Sequence, residues 1–273
     1  MDTPVSRRYR RPRAFVRVAG PDAADFLERM VSNEVVSLQA GESRDALLLT
    51  PKARVIAPLL VLRRGEADFL LLTEPELGDV VRSQLLRARF AAKCEIELEK
   101  HTSAVVLGEG EGIATLDYGV PARELLDAGE SEGDVEELEH LRIEAGTPRF
   151  GREIDDRVLP AEAGLVERAV SFTKGCYPGQ EPIARLRYRG QANRRLAVLE
   201  LEADHLPASE AELRLGEKAV GRVTSSVAGL ALGYVRKEVE DGAVLELEGR
   251  HAKVRPARFE LATSASAGQR SIP

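Results

Sequence analysis

The residues best suited to chemistry in this sequence lie in one short segment, residues 174–181, which holds one of the chain's two cysteines. The segment reads Lys174-Gly175-Cys176-Tyr177-Pro178-Gly179-Gln180-Glu181. Glycines on both sides of Cys176 permit backbone conformations and close approaches that other residues resist. Lys174 and the arginines that follow favour the thiolate, which is the reactive form of cysteine. The segment predicts a positioned, reactive thiol; the alternative is a buried cysteine in a glycine-rich turn.

Other kinds of chemistry have little support in the sequence. It contains no CxxC pair, no glycine-rich phosphate loop and no His/Glu spacing typical of a metal site. A cysteine hydrolase needs a histidine base beside its thiol, and four histidines are spread along the chain. That class stays a minor alternative, since any of the four could approach Cys176 in space.

Composition limits the partners and the cellular location that the sequence indicates. The net charge of −6 argues against a general nucleic-acid binder. Cys94 and Cys176 are too far apart in sequence to indicate a disulfide framework, which favours a reducing, cytoplasmic location. No apolar run approaches the roughly 20 residues that span a membrane. Five arginines within the first thirteen residues predict a basic, disordered arm over residues 1–13.

The elements that must position the thiol can be predicted in part. Pro21 opens a helix with an apolar face that includes Phe26 and Leu27. Apolar runs at 46–50 and 54–62 flank Pro51-Lys52-Ala53 and indicate a hairpin. Further elements are a strand over 68–73, a helix from Pro75, a strand over 93–99 that half-buries Cys94, and a helix over 135–145 capped by Gly146.

From residue 147 to residue 180 prolines and glycines recur, so the cysteine segment is predicted to lie in a functional loop. Beyond Asn193 six short apolar runs alternate with turns and predict a separate small β-barrel or sandwich. We expect the domain limits to be 14–190 for the first region and 191–262 for the barrel. A disordered tail is expected over 263–273.

The cysteine segment, followed by Ala184-Arg185 and Arg189-Gly190, resembles the signature of the YgfZ family of folate-binding proteins. These proteins support iron–sulfur cluster assembly or repair and are related to T-protein, the aminomethyltransferase of the glycine cleavage system. Supporting likenesses are Val18–Leu27, Leu49–Lys52, Leu141–Pro148 and Leu159–Glu162. Together they cover roughly residues 14–195. The resemblance implies an α+β fold in which two interleaved lobes of the T-protein type and a C-terminal antiparallel β-barrel surround a central cavity.

The resemblance also implies a tetrahydrofolate-type cofactor. Glu144 matches the T-protein glutamate that accepts hydrogen bonds from the pterin edge. Arg185, Arg187 and Arg189 are candidates for the folate carboxylates, since arginine binds carboxylates bidentately. These arginines could line one face of a strand or form a solvated charged edge. Glu162 and Gln180 are further candidate folate contacts, and Cys176 with Lys174 is the candidate reactive pair. No metal site is expected.

The sequence departs from T-protein at one decisive place. T-protein carries an Asp-Asp pair in its second hairpin strand, where this chain has Ala57 and Pro58. Neither residue can accept a proton, which argues against aminomethyltransferase activity. The family also usually has Gly where this chain has Ala53. A proline at position 182 is compatible with a helix that begins there, which would place Cys176 just before a helix N-terminus.

The sequence therefore predicts a folate-binding protein that supports iron–sulfur cluster assembly or repair and is not a classical enzyme. Its predicted partners are folate and iron–sulfur client or assembly proteins, with neither membrane nor nucleic acid, and it is expected to be a monomer. The alternatives are a one-carbon transfer enzyme, such as an aminomethyltransferase, and a folate-binding scaffold in which Cys176 is structural. Redox exchange through a mixed disulfide is a competing role for the thiol.

Overall fold

The computed structural model describes residues 7–129, 131, 133–190 and 192–256. The predicted tail after residue 262 and the first six residues of the predicted basic arm lie outside these ranges. The strands are β1 (Arg8–Arg10), β2 (Ala14–Ala19), β3 (Ser43–Leu49), β4 (Val55–Gly65), β5 (Asp68–Thr73), β6 (Glu95–Glu99), β7 (Ser103–Leu107), β8 (Ile113–Thr115), β9 (Ala122–Leu126), β10 (Arg194–Glu200), β11 (Glu212–Leu215), β12 (Lys218–Val227), β13 (Leu230–Arg236), β14 (Val244–Leu247) and β15 (Arg250–Arg255). The α-helices are α1 (Ala23–Met30), α2 (Gly78–Ala88), α3 (Val135–Ala145), α4 (Val166–Ala169) and α5 (Gln180–Arg189).

The first lobe is a five-stranded antiparallel sheet in the order β3-β4-β5-β2-β6. Helices α1 and α2 cover one face of it, because their apolar sides pack in the same core as alternate strand residues. Phe26 and Leu27 of α1 and Leu85 of α2 meet Val18 and Phe69 of the sheet there. Both helices and the β3–β4 hairpin agree with the sequence prediction.

The second lobe is a four-stranded sheet in the order β1-β7-β9-β8, packed against α3. Helix α3 begins after Asp134, whose side chain accepts a hydrogen bond from the Glu136 backbone, and ends at Gly146 with a φ of 81°. Strand β1 precedes the first lobe in sequence and the other strands follow it, so the two lobes are interleaved.

The predicted disordered arm is wrong for residues 8–13. Residues 8–10 form β1, with Tyr9 buried, and the arginines after it are held by carboxylates. Arg11 is 8% exposed and makes two hydrogen bonds to Glu74, while Arg13 makes two to Glu124. A run of arginines predicts a solvated segment only where no buried carboxylate pairs with them. Here the pairing carboxylates, Glu74 and Glu124, are distant in sequence.

Residues 194–255 form a closed barrel of six strands, in the order β10-β13-β12-β11-β14-β15, and all its strand pairs are antiparallel. Its interior is aliphatic, with Leu199, Val223 and Leu245 fully buried. The predicted α+β class with interleaved lobes and a C-terminal antiparallel barrel is therefore confirmed.

Two smaller expectations about the first lobe need correction. Cys94 lies one residue before β6 and is buried at 5% exposure, rather than half-buried within a strand. Leu98, predicted on the same face, is 45% exposed. Among the described residues, no helix has the length and apolarity needed to cross a bilayer.

Candidate functional site

The segment 174–181 ends the loop between α4 and α5 and includes the first two residues of α5, and its cysteine is exposed beside the buried Tyr177. Cys176 is exposed, and a side-chain carbon built on Gly175 would meet no atom within 4 Å. Tyr177, the next residue, is only 7% exposed. Helix α5 begins at Gln180, so Cys176 precedes a helix N-terminus at a distance of a few residues. The alternative of a buried cysteine in a turn is excluded by this exposure.

Lys174 anchors the segment to the first lobe. Its side chain is fully buried (0% exposed), and Nζ donates hydrogen bonds to the carbonyl oxygens of Val31 (2.9 Å) and Asn33 (2.7 Å). Nζ also lies 3.4 Å from Glu28 Oε1. Burial lowers the pKa of Lys174 although Glu28 opposes the shift. These contacts join the lysine to residues at and beyond the end of α1; its predicted pairing with the Cys176 thiol stays a prediction.

Gly179 fixes the other side of the segment against the β3–β4 turn. Its φ is 87°, and an added Cβ would lie 2.7 Å from the Thr50 carbonyl oxygen and 3.0 Å from the Ala53 Cα. Only glycine fits this combination of a left-handed backbone and a close approach. Ala53 itself has a φ of 57°, which gives a physical reason for the glycine expected at this position in the family.

Tyr177, the residue after Cys176, is packed in the protein core. Its ring lies in a core cluster with Ala53, Ile143 and Ile183, and burial raises the pKa of its hydroxyl to about 12. Within the described ranges that hydroxyl has no hydrogen-bond partner. Buried side chains on both sides of Cys176 thus hold the exposed thiol on a rigid base.

The second cysteine does not share this environment. Cys94 is packed in the core of the first lobe, and burial raises the pKa of its thiol. In the part of the chain that the structure describes, both cysteines are free, and no group of three or more His, Cys, Asp or Glu side chains is arranged to hold a metal ion.

The three arginines after the cysteine lie on a helix and not on a strand. Arg185, Arg187 and Arg189 belong to α5, where residues two apart point about 200° away from each other. The predicted single strand face is therefore wrong. Arg187 differs from the other two because its guanidinium lies 4.0 Å from the Phe172 ring centre and 3.4 Å from Glu167 Oε1.

The two predicted glutamates are in different situations. The Glu162 carboxylate is already hydrogen-bonded within the protein. It accepts one hydrogen bond from Arg194 Nη2 at 3.1 Å and one from the Leu159 backbone N–H at 3.1 Å. Glu144 is half-buried in the last turn of α3. Gln180 is half-buried at the first position of α5.

A small cavity of about 90 Å³, which we call the interlobe cleft, lies between the two lobes. It is lined by charged side chains that neutralise one another. Arg11 Nη2 lies 2.6 Å from Glu74 Oε1, and Arg168 contacts both Asp45 (3.1 Å) and Asp117 (2.5 Å). Burial alone would raise the pKa of Glu74, but the adjacent arginines, chiefly Arg11, hold it below its usual value.

The interlobe cleft is also where one of the two missing acids would lie. Pro58 lines it, whereas Ala57 is fully buried in the core of the first lobe. Adjacent strand residues point to opposite faces of a sheet, so only position 58 faces the cleft. Glu144 is not among the described residues that line it.

A larger cavity of about 440 Å³ lies beside α5, and we call it the α5 cavity. Its walls come from the loop and helix at 159–167, from α5 and from Ala53 of the β3–β4 turn. Glu167 and Arg187 are its charged lining residues among those described. This cavity was not predicted from the sequence, because its walls come from segments that are far apart along the chain.

The family model that matches is described as the CAF17 C-terminal beta-barrel domain and covers residues 193–262. A tRNA-modifying protein YgfZ of Edwardsiella ictaluri is 28% identical, over 74% of this chain and 73% of that protein. An aminomethyltransferase of Corynebacterium jeikeium is 22% identical, over 90% of this chain and 82% of that protein.

A solved structure shows the same fold. The glycine cleavage system aminomethyltransferase T from Bartonella henselae superposes with a TM-score of 0.75 at 21% identity, covering 90% of this chain and 84% of that one. At this identity the likeness concerns the fold, with its two lobes and its C-terminal barrel.

Proposed function

Because the chain resembles YgfZ proteins and aminomethyltransferases in sequence and shares the aminomethyltransferase fold, we propose that it binds a reduced folate and presents Cys176 to iron–sulfur partners. The function would be support of cluster assembly or repair in client enzymes. Since one relative is called a tRNA-modifying protein, we include enzymes of tRNA modification among the clients. The observation that carries the proposal is the exposed Cys176 held between buried Lys174 and Tyr177.

A single exposed thiolate suits a donor role rather than storage of a cluster. Iron–sulfur clusters generally need about four ligands, and Cys94 is buried in a separate core. Cys176 would therefore supply one ligand to a cluster whose remaining ligands belong to the partner. The rigid base under the thiol favours this role, because a docking protein meets the sulfur in a fixed position.

The chain's residues are compatible with a folate. A pterin needs a cavity with flat apolar walls, a carboxylate at its ring edge and a cation for its anionic tail. The α5 cavity has a volume in the range of small-molecule sites and carries both Glu167 and Arg187. A bound tetrahydrofolate can carry a one-carbon unit, and this chain's side chains would hold and orient it.

The alternative is an enzyme of one-carbon transfer. It is favoured by the aminomethyltransferase relative and fold, but Pro58 offers no carboxylate where the interlobe cleft would need one. We therefore prefer the supporting role over transfer chemistry.

The test combines binding with client activity. Calorimetric titration of the full chain with tetrahydrofolate is expected to show binding by the parent protein and by Cys176→Ser. In cells that lack the protein, Cys176→Ser is expected to leave an iron–sulfur tRNA-modifying enzyme inactive, while Cys94→Ala restores it. Restoration by Cys176→Ser would assign the thiol a structural role, and absence of folate binding would refute the cofactor assignment.

A further inference from the structure

The chain crosses from the first lobe to the second at residues 100–102, between the end of β6 and the start of β7. His101 is the central residue of this crossing, and its side chain is 21% exposed. Its Nε2 lies 2.9 Å from Glu99 Oε2, and its Nδ1 lies 2.7 Å from Asp127 Oδ2. Glu99 ends β6 of the first lobe, and Asp127 follows β9 of the second. One imidazole ring therefore bridges carboxylates of both lobes.

Both ring nitrogens of His101 face hydrogen-bond acceptors. An ionised carboxylate only accepts, so each of the two contacts is a hydrogen bond only if the ring nitrogen donates a proton. A neutral imidazole has one N–H group and one lone pair, whereas an imidazolium has two N–H groups. The geometry therefore favours the charged ring. In agreement, the hydrogen bonds to Glu99 and then to Asp127 raise the pKa of His101.

The charged side chains around His101 balance when its ring is protonated. They are Glu99 and Asp127, which contact the ring, and Arg17, Arg64 and Asp68, which contact Glu99 or one another. Arg64 makes two hydrogen bonds to Glu99, at 2.7 and 3.0 Å, and Arg17 lies 3.5 Å from it. These three carboxylates outnumber the two arginines, so the imidazolium brings the cluster to neutrality. Loss of the ring proton leaves one negative charge in excess.

The two carboxylates on the ring differ in what else holds them. The Glu99 side chain is 25% exposed, and its bonds to Arg64 do not depend on the state of His101; they are the main reason that its pKa is lowered to about 2. The Asp127 side chain is 58% exposed, and its other hydrogen bond comes from the Thr102 backbone at 2.9 Å. A neutral ring keeps its one proton toward Glu99, which is held in place, and Asp127 turns to water. Deprotonation therefore breaks the contact with the second lobe.

The contact at Asp127 supports a strained turn and an apolar interface. Asp127 has a φ of 54°, a left-handed conformation, and its N–H donates to the Thr102 carbonyl oxygen at 2.8 Å. The His101 ring also packs edge-on against Phe15 of β2, with 5.2 Å between ring centres. Phe15 belongs to an apolar cluster of the first sheet that Leu126 of β9 joins. The histidine thus lies at the margin of the surface through which the two sheets pack.

The lobes are also joined by an arginine that does not titrate. Arg13, one residue before β2, lies 2.9 Å from Glu124 in β9, and arginine keeps its proton at any pH the folded chain meets. Histidine is the side chain that changes charge near neutral pH. We propose that His101 is a pH-sensitive contact between the two lobes, whose imidazolium bridges Glu99 to Asp127 and whose deprotonation releases Asp127 and loosens the lobe junction.

The direction of the effect follows from linkage. The folded-state pKa of His101 is raised, so its contribution to stability is complete below the unfolded-state pKa of about 6.5 and is lost as the pH rises through the folded-state pKa.

The first test observes the ring by nitrogen-15 NMR of the full chain, with His101 assigned through its bonded backbone resonances. His101 is expected to titrate at a higher pH in the folded chain than in the chain unfolded in urea. In Asp127→Asn the titration should move to lower pH, since asparagine accepts the left-handed backbone but carries no charge. Titration at or below the unfolded-state value, or no shift in Asp127→Asn, would overturn the proposal. This test does not depend on a variant at position 101.

The second test measures the contact between the lobes. Urea midpoints are compared for the parent, His101→Gln, Asp127→Asn and the double variant, at about pH 6 and about pH 9. At the lower pH the double variant should lose less than the sum of the two single losses, because both single variants break the same contact. At the higher pH the losses should add. His251→Gln, at an exposed histidine of β15, is the control and should add to Asp127→Asn at both values. Additive losses at the lower pH, or a coupling that does not change with pH, would contradict the pH-sensitive contact.

Discussion

The interlobe cleft is walled by paired charges, whereas the α5 cavity is walled by aliphatic side chains with one exposed ion pair among them. The side chains of Arg11 and Glu74 in the cleft are 10% and 5% exposed, so their pairing is part of the folded state. Arg187 and Glu167 are much more open to solvent. The contrast indicates that the charge pairs of the cleft join the two lobes, whereas the ion pair of the α5 cavity contributes little to the fold.

The largest expected effect comes from breaking a buried pair in the cleft. Arg11→Ala leaves Glu74 buried, with partial compensation from the charge of Arg13 and from Arg149 Nε at 3.4 Å. We expect a loss of about 3 kcal/mol in the free energy of unfolding, measured by urea denaturation. The exposed Arg189→Ala is the control and should change the free energy by less than about 0.5 kcal/mol. Equal stabilities would show that the cleft pairs do not join the lobes.

A steric change beside the α5 cavity should have the next largest effect. Gly179→Ala places a Cβ 2.7 Å from the Thr50 oxygen at a φ of 87°. We expect a loss of about 2 kcal/mol from strain and displacement of the β3–β4 turn. Gly175→Ala is the matched control, since its Cβ meets no atom within 4 Å. If both alanines cost the same, the close packing of Gly179 on the turn is not what positions the segment.

A smaller effect is expected from pH. The pKa of Glu74 lies below its usual value in the folded protein, so its contribution to stability is complete above the unfolded-state pKa of about 4.3 and is lost as pH falls. We expect the stability difference between the parent and Glu74→Gln to shrink as the pH falls below about 5. A difference that does not change with pH would contradict the ionised pair.

The smallest effect on stability is expected at the α5 cavity itself. Arg187→Ala removes an exposed ion pair and a cation–π contact, which together contribute less than about 1 kcal/mol. The midpoint of thermal unfolding should therefore be nearly unchanged. A stability loss as large as that of Arg11→Ala would mean that Arg187 is structural, and would remove the contrast between the two cavities.

Much of the fold was predictable because local pattern and final structure agree. Alternating apolar runs after Asn193 predicted all six barrel strands, and Gly146 marked the end of α3. Strand β1 was missed since its partners lie far along the chain, and its arginines look solvated without Glu74 and Glu124.

The site was predictable only where a motif carried it. The segment around Cys176 was recognised from its residues, and its exposure agrees with a presented thiol. The hydrogen bonds of Lys174 to the Val31 and Asn33 carbonyls could not be predicted from the sequence, because those residues are 143 and 141 positions away along the chain. Both cavities arise from packing between distant segments, which no local pattern encodes.

The interleaving of the lobes has a consequence for synthesis on the ribosome. Arg11 and Arg13 leave the exit tunnel well before their carboxylate partners, which follow 63 and 111 residues later. Until β7 has also emerged, the first strand of the second lobe has no sheet to join, although all five strands of the first lobe are already synthesised. Strand β1 therefore stays unpaired while the whole first lobe is synthesised, and its arginines, Arg8 and Arg10, favour its solvation during that time.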